Sequence, residues 1–544
     1  MKRPLTPNTF YDPASVAGKA PPITDETDLL IVGAGAAGLA AALAAAGRGL
    51  RVTLVDENPV PLETMGEDVP LHFGGRMDAA VANRNAVLQS LLDARPEIAD
   101  ALDAGVDVRL GTVVWGLFAQ QPTHAWIEGT VAGLADEEHA YLLRFRQVIV
   151  AAGRRDMGLA FDGWQRPGVM GASAAYRLAS LYDALASETG VLVGSDTQAL
   201  ATALALIDKG VRIAAVVEQA DEAVGEPALL EQLLDHGAAL LTGHVIREAA
   251  GNAFGVQRVS AVALDAEGLP DAGRTTLLDC DTLLLGVAAI PAIELLEAAG
   301  CTMAFDSERG GHVAVCDGQQ RTSLHWLLVA GDCAGIWARK SLDDTIARRE
   351  GRIAARTALA ALGIHTGDEE PAVMPDEASG DLAARRSAWV RSTILHAQNQ
   401  PHVCLCEEVT AGEILGHLPP RYLGWTPDPS TPALRKGEPH PDVTKRLTRA
   451  CMGPCQGRRC REQVAGLLSL DSGQGLAGIA LASFRPPVRP LSLRQLAQFE
   501  ETVEMRGRWD AWFDMPSQWT PFWLCGDQPT LARRPPLSQP RSEE

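Results

Sequence analysis

The 544-residue sequence lacks a membrane-spanning apolar run, a cluster of basic residues and an apolar core in its first residues. The most apolar candidate, Leu29–Ala46, is interrupted by Gly33, Gly35 and Gly38, whereas a spanning helix needs ~20 predominantly apolar residues. A formal charge of −20 without a Lys/Arg run argues against nucleic acid, because phosphate binding requires a basic face. We therefore expect a cytoplasmic protein with no signal peptide, no transmembrane segment and no nucleic-acid partner.

Two further absences narrow the chemistry. The segment Glu57–Met77 contains no cysteine, which excludes the redox-active C-x4-C pair of disulfide reductases even where the fold is shared. There is also no recognisable Ser/His/Asp or Cys/His arrangement, and histidines such as His72 and His312 lack partner motifs. We therefore assign no catalytic acid or base from the sequence.

The sequence does contain a concentrated group of thiols. Cys404 and Cys406 form a C-x-C pair, Cys455 and Cys460 form a C-x4-C pair, and Cys451 lies beside the second pair. Soft thiolates delivered from loops are what an iron–sulfur cluster requires, so [2Fe–2S] is the first interpretation. Zinc stays open, although it prefers C-x2–4-C spacings. Structural or idle thiols stay open as well, whereas disulfides would need an oxidising compartment.

The clearest local pattern lies near the N-terminus, where residues 28–47 read as a buried strand, a glycine turn and an alanine-rich helix. In this G-x-G-x-x-G pattern Gly33 permits the tight turn and Gly35 lets the backbone approach a pyrophosphate. Gly38 allows the helix to pack closely on the strand. The phosphates would then lie at the helix N-terminus.

A second strand at residues 51–56 ends in acidic residues about 20 positions downstream, where a carboxylate can bind an adenosine ribose. The order strand, turn, helix, strand and acid predicts a dinucleotide site much more strongly than the glycines alone. The residues assigned to cofactor binding in this motif are Gly33, Ala34, Gly35, Ala37, Gly38, Asp56 and Glu57.

A similar strand, turn and helix recur at residues 190–201, and Val211–Glu218 supplies the next strand with an acid at its end. A nicotinamide nucleotide would bind here, but Asp196 replaces the second glycine. Two like charges ~4 Å apart repel by about 4 kcal/mol at an effective dielectric near 20. We therefore expect the fold to be kept and the use of NAD(P)H to be lost.

Two later segments resemble elements of flavoproteins that have two dinucleotide-binding domains. Val148–Gly153, which includes Ala152, resembles their "ATG" element, and Trp326–Gly335 resembles their second flavin element. The resemblance assigns cofactor binding to Ala152 and Gly331, and ribityl binding to Asp332. A turn aspartate that caps the next helix is the alternative role for Asp332. FAD is therefore preferred over NAD at the first site.

Several motifs together resemble one family, the large subunits of heteromeric FAD-dependent amine and amino-acid dehydrogenases. They are Phe161–Met170, Val113–Gly116, Gly331–Ile336 and Phe484–Pro490. The family includes the A subunits of octopine and nopaline oxidases, the B subunit of hydrogen cyanide synthase, dye-linked proline dehydrogenase and, more distantly, sarcosine oxidase alpha. The resemblance covers roughly residues 25–495.

The same resemblance assigns the cluster ligands. Residues 404–414 and 445–460 are similar to the family's ferredoxin-like domain, which places the metal on Cys404, Cys406, Cys455 and Cys460. Relatives usually read TRAGMG-x-CQGR-x-C, so Cys451 occupies a position that is commonly glycine, and we expect it to be a bystander. A C-x3-C alternative that uses Cys451 with Cys455 stays open.

The resemblance implies an α/β fold, that of a two-dinucleotide-binding-domain, Rossmann-like flavoprotein followed by a small α-rich [2Fe–2S]-binding domain. The expected domains are 25–155 (FAD-binding, first part), 156–284 (NAD(P)-binding-like with a degenerate site), 285–375 (FAD-binding, second part), 376–400 (linker), 401–465 ([2Fe–2S]-binding) and 466–544 (C-terminal extension). Pro419–Pro441 is longer than the usual link and reads as a surface loop. The tail is crowded with aromatics between Trp509 and Trp523, and is expected either to dock a partner or to fold back on the core.

In this family a separate, smaller FAD-dependent subunit oxidises the substrate, and the chain that resembles this one handles electrons. The resemblance therefore implies FAD and [2Fe–2S] as cofactors, and it allows FMN at a subunit interface. The implied partners are that smaller subunit, an electron acceptor and, as an option, a third small iron–sulfur subunit. Two rivals are a self-contained NAD(P)H-dependent ferredoxin-type reductase, which Asp196 disfavours, and a non-enzymatic iron–sulfur scaffold, which the intact glycine motif disfavours.

Overall fold

The computed structural model describes residues 25–59, 84–120, 127–365, 381–397, 399–419 and 439–499, together with a few isolated positions. Most of the predicted loop at 419–441 and the aromatic cluster of the tail lie outside the described residues. The predictions for those two segments therefore stay predictions.

The strands, numbered in chain order, are β1 (Asp25–Glu26), β2 (Leu29–Val32), β3 (Val52–Asp56), β4 (Asp107–Leu110), β5 (Val113–Ala119), β6 (Thr130–Ala135), β7 (Ala140–Phe145), β8 (Gln147–Val150), β9 (Arg154–Asp156), β10 (Val169–Gly171), β11 (Thr189–Val193), β12 (Arg212–Val217), β13 (Ala239–Leu241), β14 (His244–Asn252), β15 (Gly255–Leu264), β16 (Pro270–Asp279), β17 (Thr282–Leu285), β18 (Ala289–Pro291), β19 (Met303–Asp306), β20 (Gly311–Ala314), β21 (Leu327–Val329), β22 (His402–Cys404) and β23 (Val409–Thr410).

The α-helices are α1 (Ala36–Ala45), α2 (Arg84–Ala94), α3 (Glu97–Asp103), α4 (Ala172–Ser180), α5 (Thr197–Asp208), α6 (Pro227–Asp235), α7 (Glu294–Ala298), α8 (Ala338–Leu342), α9 (Asp344–Ala361), α10 (Leu382–Trp389), α11 (Ala411–Gly416), α12 (Pro441–Thr448), α13 (Arg461–Ser472) and α14 (Leu493–Ala497). Short 3-10 turns lie at Ser307–Arg309, Gly331–Ala334 and Leu476–Gly478, and a π-helical stretch at Val390–Leu395 continues α10.

The first nucleotide-binding unit is a five-stranded parallel sheet with the order β21-β8-β2-β3-β4. Its central strand β2 is buried along its whole length, and such continuous apolar strands are typical of a sheet covered on both faces. Leu327 in β21 pairs with Val148 in β8, so the sheet combines distant parts of the chain. Helix α9 packs directly on α1 at Gly351, where a side chain would collide with the Ala37 carbonyl.

The second unit is another five-stranded parallel sheet, in the order β10-β17-β11-β12-β13, joined to an antiparallel sheet of β14, β15 and β16. A four-stranded sheet, β1-β7-β6-β5, adjoins the first unit. The predicted α/β class with two dinucleotide-binding-type sheets is therefore confirmed. Within the described residues, no helix is both long and apolar enough to cross a membrane.

The cysteine-containing segment is mostly helical and shares its core with the second unit. Buried Met157, Phe161 and Trp164 belong to the same apolar cluster as Trp389 and Val464. Polar contacts run along the same border: the Trp164 indole Nε1 donates to the His402 carbonyl at 2.8 Å. The cysteine segment is therefore held against the stretch that contains Met157, Phe161 and Trp164.

Candidate functional site

A cavity opens beyond the carboxyl ends of β2, β3 and β8, which is where open parallel sheets bind nucleotides. The predicted residues that line it are Gly33, Gly35, Asp56, Glu57 and Ala152. Ala34, Ala37 and Gly38 belong to the turn and helix behind this wall, and Ala34 and Ala37 are buried. Gly331 lies against the Ala37 side chain, at the edge of the same turn. The structure therefore brings these sequence-predicted positions together.

The three glycines of the turn have different structural roles. Gly33 has a left-handed backbone with φ of +105°, and a side chain there would collide with the Ala151 carbonyl. A side chain at Gly38 would collide with the Gly33 carbonyl. Gly35 has φ of −79°, which any residue adopts. Among the described residues, no atom outside its own chain neighbours and helix lies within 4 Å of the position of its missing Cβ. The space in front of this helix N-terminus therefore fits a bound pyrophosphate.

Asp56 organises the turn from the adjacent strand. One carboxylate oxygen accepts a hydrogen bond from the Ala34 N–H at 2.5 Å, and the other accepts bonds from the N–H and side-chain amide of Asn58 at 2.8 and 2.7 Å. Arg95 donates to the Ala34 carbonyl at 3.0 Å and lies 3.8 Å from the Asp56 carboxylate. Glu57 forms an ion pair with Arg489 at 2.9 Å, also on the cavity wall.

Asp332 does not cap either of the helices that follow it. Helix α8 begins after Trp337, and α9 is capped by Asp343, whose side chain accepts from the Thr345 N–H. Asp332 lies instead in the 3-10 turn, with its carboxylate 3.3 Å from the Arg154 guanidinium. This placement disfavours the capping alternative, and ribityl binding by Asp332 stays a prediction.

A buried ion pair that the sequence did not point to fixes this turn. The Lys340 ammonium donates to the carbonyls of Gly331 and Gly335 at 2.8 and 2.9 Å, and to the Glu350 carboxylate at 2.7 Å. Glu350 in turn accepts from the Gly331 N–H at 2.8 Å. Burial raises the pKa of Glu350, and the Lys340 charge opposes that rise. Lys340 and Glu350 therefore bind both ends of the Gly331–Gly335 turn, which contains Asp332.

At the second nucleotide turn the protein supplies its own carboxylate, and a loop packs against the turn. The Asp196 carboxylate caps α5 by accepting from the Ala199 N–H at 2.7 Å, and burial raises its pKa. Gly225 lies so close to this turn that a side chain there would collide with it. The Val224 N–H also donates to the Ser195 hydroxyl at 3.1 Å. The helix N-terminus that would bind a nicotinamide pyrophosphate therefore already has a carboxylate and a covering loop.

The five cysteines of the cluster motif converge in space. Cys404 lies beside Cys460, and Cys406 lies beside Cys455, so the neighbours in space differ from the pairs in the sequence. Cys451 lies beside the first pair, with its sulfur 3.5 Å from that of Cys460. Four of the five are buried and Cys406 is exposed. Among the described residues, no group of three or more His, Cys, Asp or Glu side chains is arranged around a single metal ion.

The thiols differ in charge preference. The hydrogen bond from Cys406 lowers the pKa of Cys455 to about 5, with help from the Arg458 and Arg459 charges. The hydrogen bond to Cys460, burial and the neighbouring Cys455 charge raise the pKa of Cys404. The neighbouring Arg458 and Arg459 charges therefore favour the thiolate form of Cys455.

Cys451 has a left-handed backbone with φ of +69°. Glycine adopts this conformation without strain, whereas other residues do so rarely. The backbone therefore explains why glycine suits this position, which the motif of the related family suggested.

Strand β9, which was not predicted from the sequence, connects the turn that contains Asp332 with the cysteine segment. Arg154 contacts Asp332, and Asp156 accepts from the Ser173 N–H at 2.8 Å at the start of α4. Burial raises the pKa of Asp156 to about 6. The middle residue, Arg155, points to the cysteine segment and donates to the Arg458 carbonyl at 3.0 Å. Alternation along a strand explains the division, and the Arg-Arg-Asp triplet directly after the Gly153 turn was the available signal.

Gly35→Asp should abolish FAD binding, because it places a side chain and a negative charge in the space facing the helix N-terminus. Flavin absorbance per chain of the purified protein measures the effect. Gly475→Asp is the matched control, since Gly475 has φ of −60° and open space but lies outside the cavity. Full flavin content in Gly35→Asp would contradict the assignment.

Lys340→Met should weaken FAD binding, because it leaves the buried Glu350 charge unpaired beside Gly331, a loss that costs about 3–5 kcal/mol in comparable pairs. Fluorescence titration of the apoprotein with FAD provides the measurement, and the exposed Lys209→Met is the control. Adding Glu350→Gln to Lys340→Met should restore part of the affinity by removing that charge. A lower melting temperature with unchanged FAD affinity would show that the pair supports stability alone.

Comparison with known proteins identifies the family and the relatives of the chain. Residues 27–358 match the pyridine nucleotide-disulphide oxidoreductase family. The chain is 28% identical over 497 residues to the A subunit of opine oxidase from Rhizobium meliloti, covering 88% of each protein. It is 27% identical over 461 residues to hydrogen cyanide synthase subunit HcnB of Pseudomonas protegens, covering 79% of this chain and 89% of that subunit. It also matches 42% of the sarcosine oxidase alpha subunit of Rhizobium meliloti at 26% identity.

The crystal structure of L-proline dehydrogenase from P. horikoshii is similar in fold, with a TM-score of 0.55, 19% identity and coverage of 87% of this chain and 80% of that one. The resemblance to subunits of these enzymes, predicted from the motifs, is therefore confirmed. The chain belongs to the pyridine nucleotide-disulphide oxidoreductase family and is an FAD-dependent oxidoreductase.

Proposed function

We propose that this chain is the FAD- and [2Fe–2S]-containing electron-transfer subunit of an amine, amino-acid or opine dehydrogenase complex. The single observation that carries the proposal is the contact between the flavin site and the cysteine loop. Gly153 lines the flavin cavity, and Arg155, two residues later, donates to the Arg458 carbonyl between Cys455 and Cys460. Two residues of extended chain span at most ~7 Å.

The donor set fits a binuclear iron–sulfur cluster. Such a cluster has two thiolates on each iron. Cys404 lies beside Cys460 and Cys406 lies beside Cys455, with the Cys451 sulfur 3.5 Å from that of Cys460. Bound FAD would accept electrons in pairs and release them singly to a one-electron centre. Cys404, Cys406, Cys455 and Cys460 would hold the irons, and Arg458 and Arg459 would favour the anionic thiolates.

The protein's own residues would perform three tasks. Gly35 and the N-terminus of α1 would bind the pyrophosphate, with Asp56 near the ribose. Lys340 and Glu350 would hold the turn that presents Asp332 to the ribityl chain. Strand β9 would keep the cysteine loop against the flavin cavity. None of these tasks requires a catalytic acid or base, so the proposed reaction within this chain is electron transfer alone.

The names of the relatives support a multi-subunit enzyme, since the opine oxidase, HcnB and sarcosine oxidase alpha chains are each named as subunits. We propose a smaller FAD-dependent partner that oxidises the amine or amino acid, and a separate electron acceptor. A third small iron–sulfur subunit and FMN at a subunit interface belong to the same proposal. A cytoplasmic location is also part of it.

The rival reductase function requires a nicotinamide nucleotide at the second turn. There the Asp196 carboxylate caps α5, and the loop at Gly225 packs on the turn. A pyrophosphate would have to displace this loop and approach a like charge. The geometry therefore favours an electron donor other than NAD(P)H.

Neither NADH nor NADPH should reduce the flavin at a useful rate in anaerobic stopped-flow mixing. Asp196→Gly alone should not create that activity, because the Gly225 loop still covers the turn. Flavin bleaching by either nucleotide on the scale of ordinary turnover, ~10 s⁻¹, would favour the reductase instead.

Serine at Cys404, Cys406, Cys455 or Cys460 should remove or strongly distort the low-temperature EPR signal of the reduced protein, because a hard oxygen replaces a soft thiolate. Cys451→Gly should leave that signal nearly unchanged and relieve the positive-φ backbone at this position. Loss of the signal in Cys451→Gly but not in Cys460→Ser would establish C-x3-C ligation. Stoichiometric zinc, together with an EPR signal that none of the five substitutions changes, would contradict the iron–sulfur cluster.

A further inference from the structure

Helix α7 carries two carboxylates on one face, one turn apart. Glu294 also lines the flavin cavity, and its carboxylate accepts from Arg155. Glu297 accepts from Arg461, the residue directly after Cys460. Residues three apart on a helix are neighbours, so one short helix at the flavin cavity contacts the two arginines that reach the cysteine segment.

Arg155 makes the more extensive set of contacts. Besides Glu294, its guanidinium donates to the Glu462 carboxylate at 3.1 Å on α13 and to the Arg458 carbonyl at 3.0 Å. Its side chain is only 11% exposed. Three groups, one on α7 and two in the cysteine segment, therefore meet on one planar guanidinium, a fork geometry that a lysine ammonium cannot reproduce.

The backbone of Arg155 is itself fixed. Strand β9 pairs with β18, where Arg155 lies opposite Ile290. On one side Arg154 contacts Asp332, and on the other Asp156 accepts from the Ser173 hydroxyl at 2.9 Å. The guanidinium therefore projects from a strand that is tied to the second flavin segment and to α4 by its neighbours.

Two close contacts join the residues after strand β9 to the cysteine segment. A side chain at Gly158 would collide with the Arg459 carbonyl. The side-chain amide oxygen of Gln463 accepts from the Ala160 N–H at 2.9 Å. The residues that follow β9 are thus packed against the chain on both sides of Cys460.

We propose that Arg155 is a positioning residue that fixes the Cys455–Cys460 loop against the flavin cavity, and so sets the path by which an electron passes between flavin and cluster. The part that concerns the cluster rests on the proposed function. In the step concerned, one electron leaves reduced FAD and enters the oxidised cluster, and no covalent bond is formed or broken between the two groups.

The test compares Arg155→Lys and Arg155→Gln with the wild-type chain and with Arg258→Gln. Arg258 is an exposed arginine that pairs with Asp279 on the neighbouring strand of the β14–β16 sheet. A sacrificial photoreductant reduces the flavin in a flash, and the delay before the iron absorbance bleaches gives the transfer rate. Only protein with wild-type FAD and iron content is compared. Both Arg155 variants should slow transfer by roughly tenfold or more, since a misplacement of ~1 Å can cost up to ~100-fold in rate.

Arg155→Lys separates position from charge. If Arg155 acted only through its positive charge, the lysine variant would transfer electrons at the wild-type rate, and that result would overturn the proposal. Equal rates in all four proteins would overturn it as well.

Hydrogen exchange of residues 455–463 provides the second measurement and needs no cofactor. Both Arg155 variants should exchange this segment faster, whereas Arg258→Gln should not. Unchanged exchange in Arg155→Gln would contradict the positioning role. If the wild-type chain contains no iron, the proposed function fails, but faster exchange in the variants would still support the contact that Arg155 makes.

Discussion

The arrangement of the molecule depends on a small set of buried charges between the flavin unit and the cysteine segment. Arg155 forms ion pairs with both Glu294 and Glu462. Arg461 forms an ion pair with Glu297, and its guanidinium stacks on the Phe484 ring at 3.7 Å. Buried ion pairs contribute little net stability compared with apolar packing, but removing one partner is strongly destabilising because the other charge stays buried. Such pairs are well suited to fixing which surfaces meet, and here the surfaces carry the flavin cavity and the thiols.

The two nucleotide turns show how one fold can keep or lose an anion site. Both place a helix N-terminus at the end of a buried parallel strand, where unpaired backbone N–H groups attract negative charge. At the first turn, Gly35 leaves open space for a ligand to supply that charge. At the second, the chain supplies it through Asp196. The second unit keeps a structural role, since its core continues into the cysteine segment.

Local patterns predicted much of this from the sequence. The glycine turn and the buried strands β2, β3 and β8 depend on short-range patterns, which a sequence displays directly. The use of both cysteine pairs at one site was implied by the family resemblance. The Lys340–Glu350 pair and the Arg155 contacts could not be predicted, because each joins side chains whose proximity is created by the tertiary fold. The spatial pairing of Cys404 with Cys460 is of the same kind. The loop at Gly225 was missed because nothing in its sequence shows where the chain returns.

The most direct test of the account is the cofactor content of the chain purified without oxygen. Iron, acid-labile sulfide, zinc and FAD are measured on the same sample and expressed per polypeptide. The account predicts about two irons, about two sulfides and about one FAD, with no zinc. Zinc without sulfide, or iron–sulfur content without any flavin, would contradict the claim that this chain conducts electrons between a flavin and a cluster.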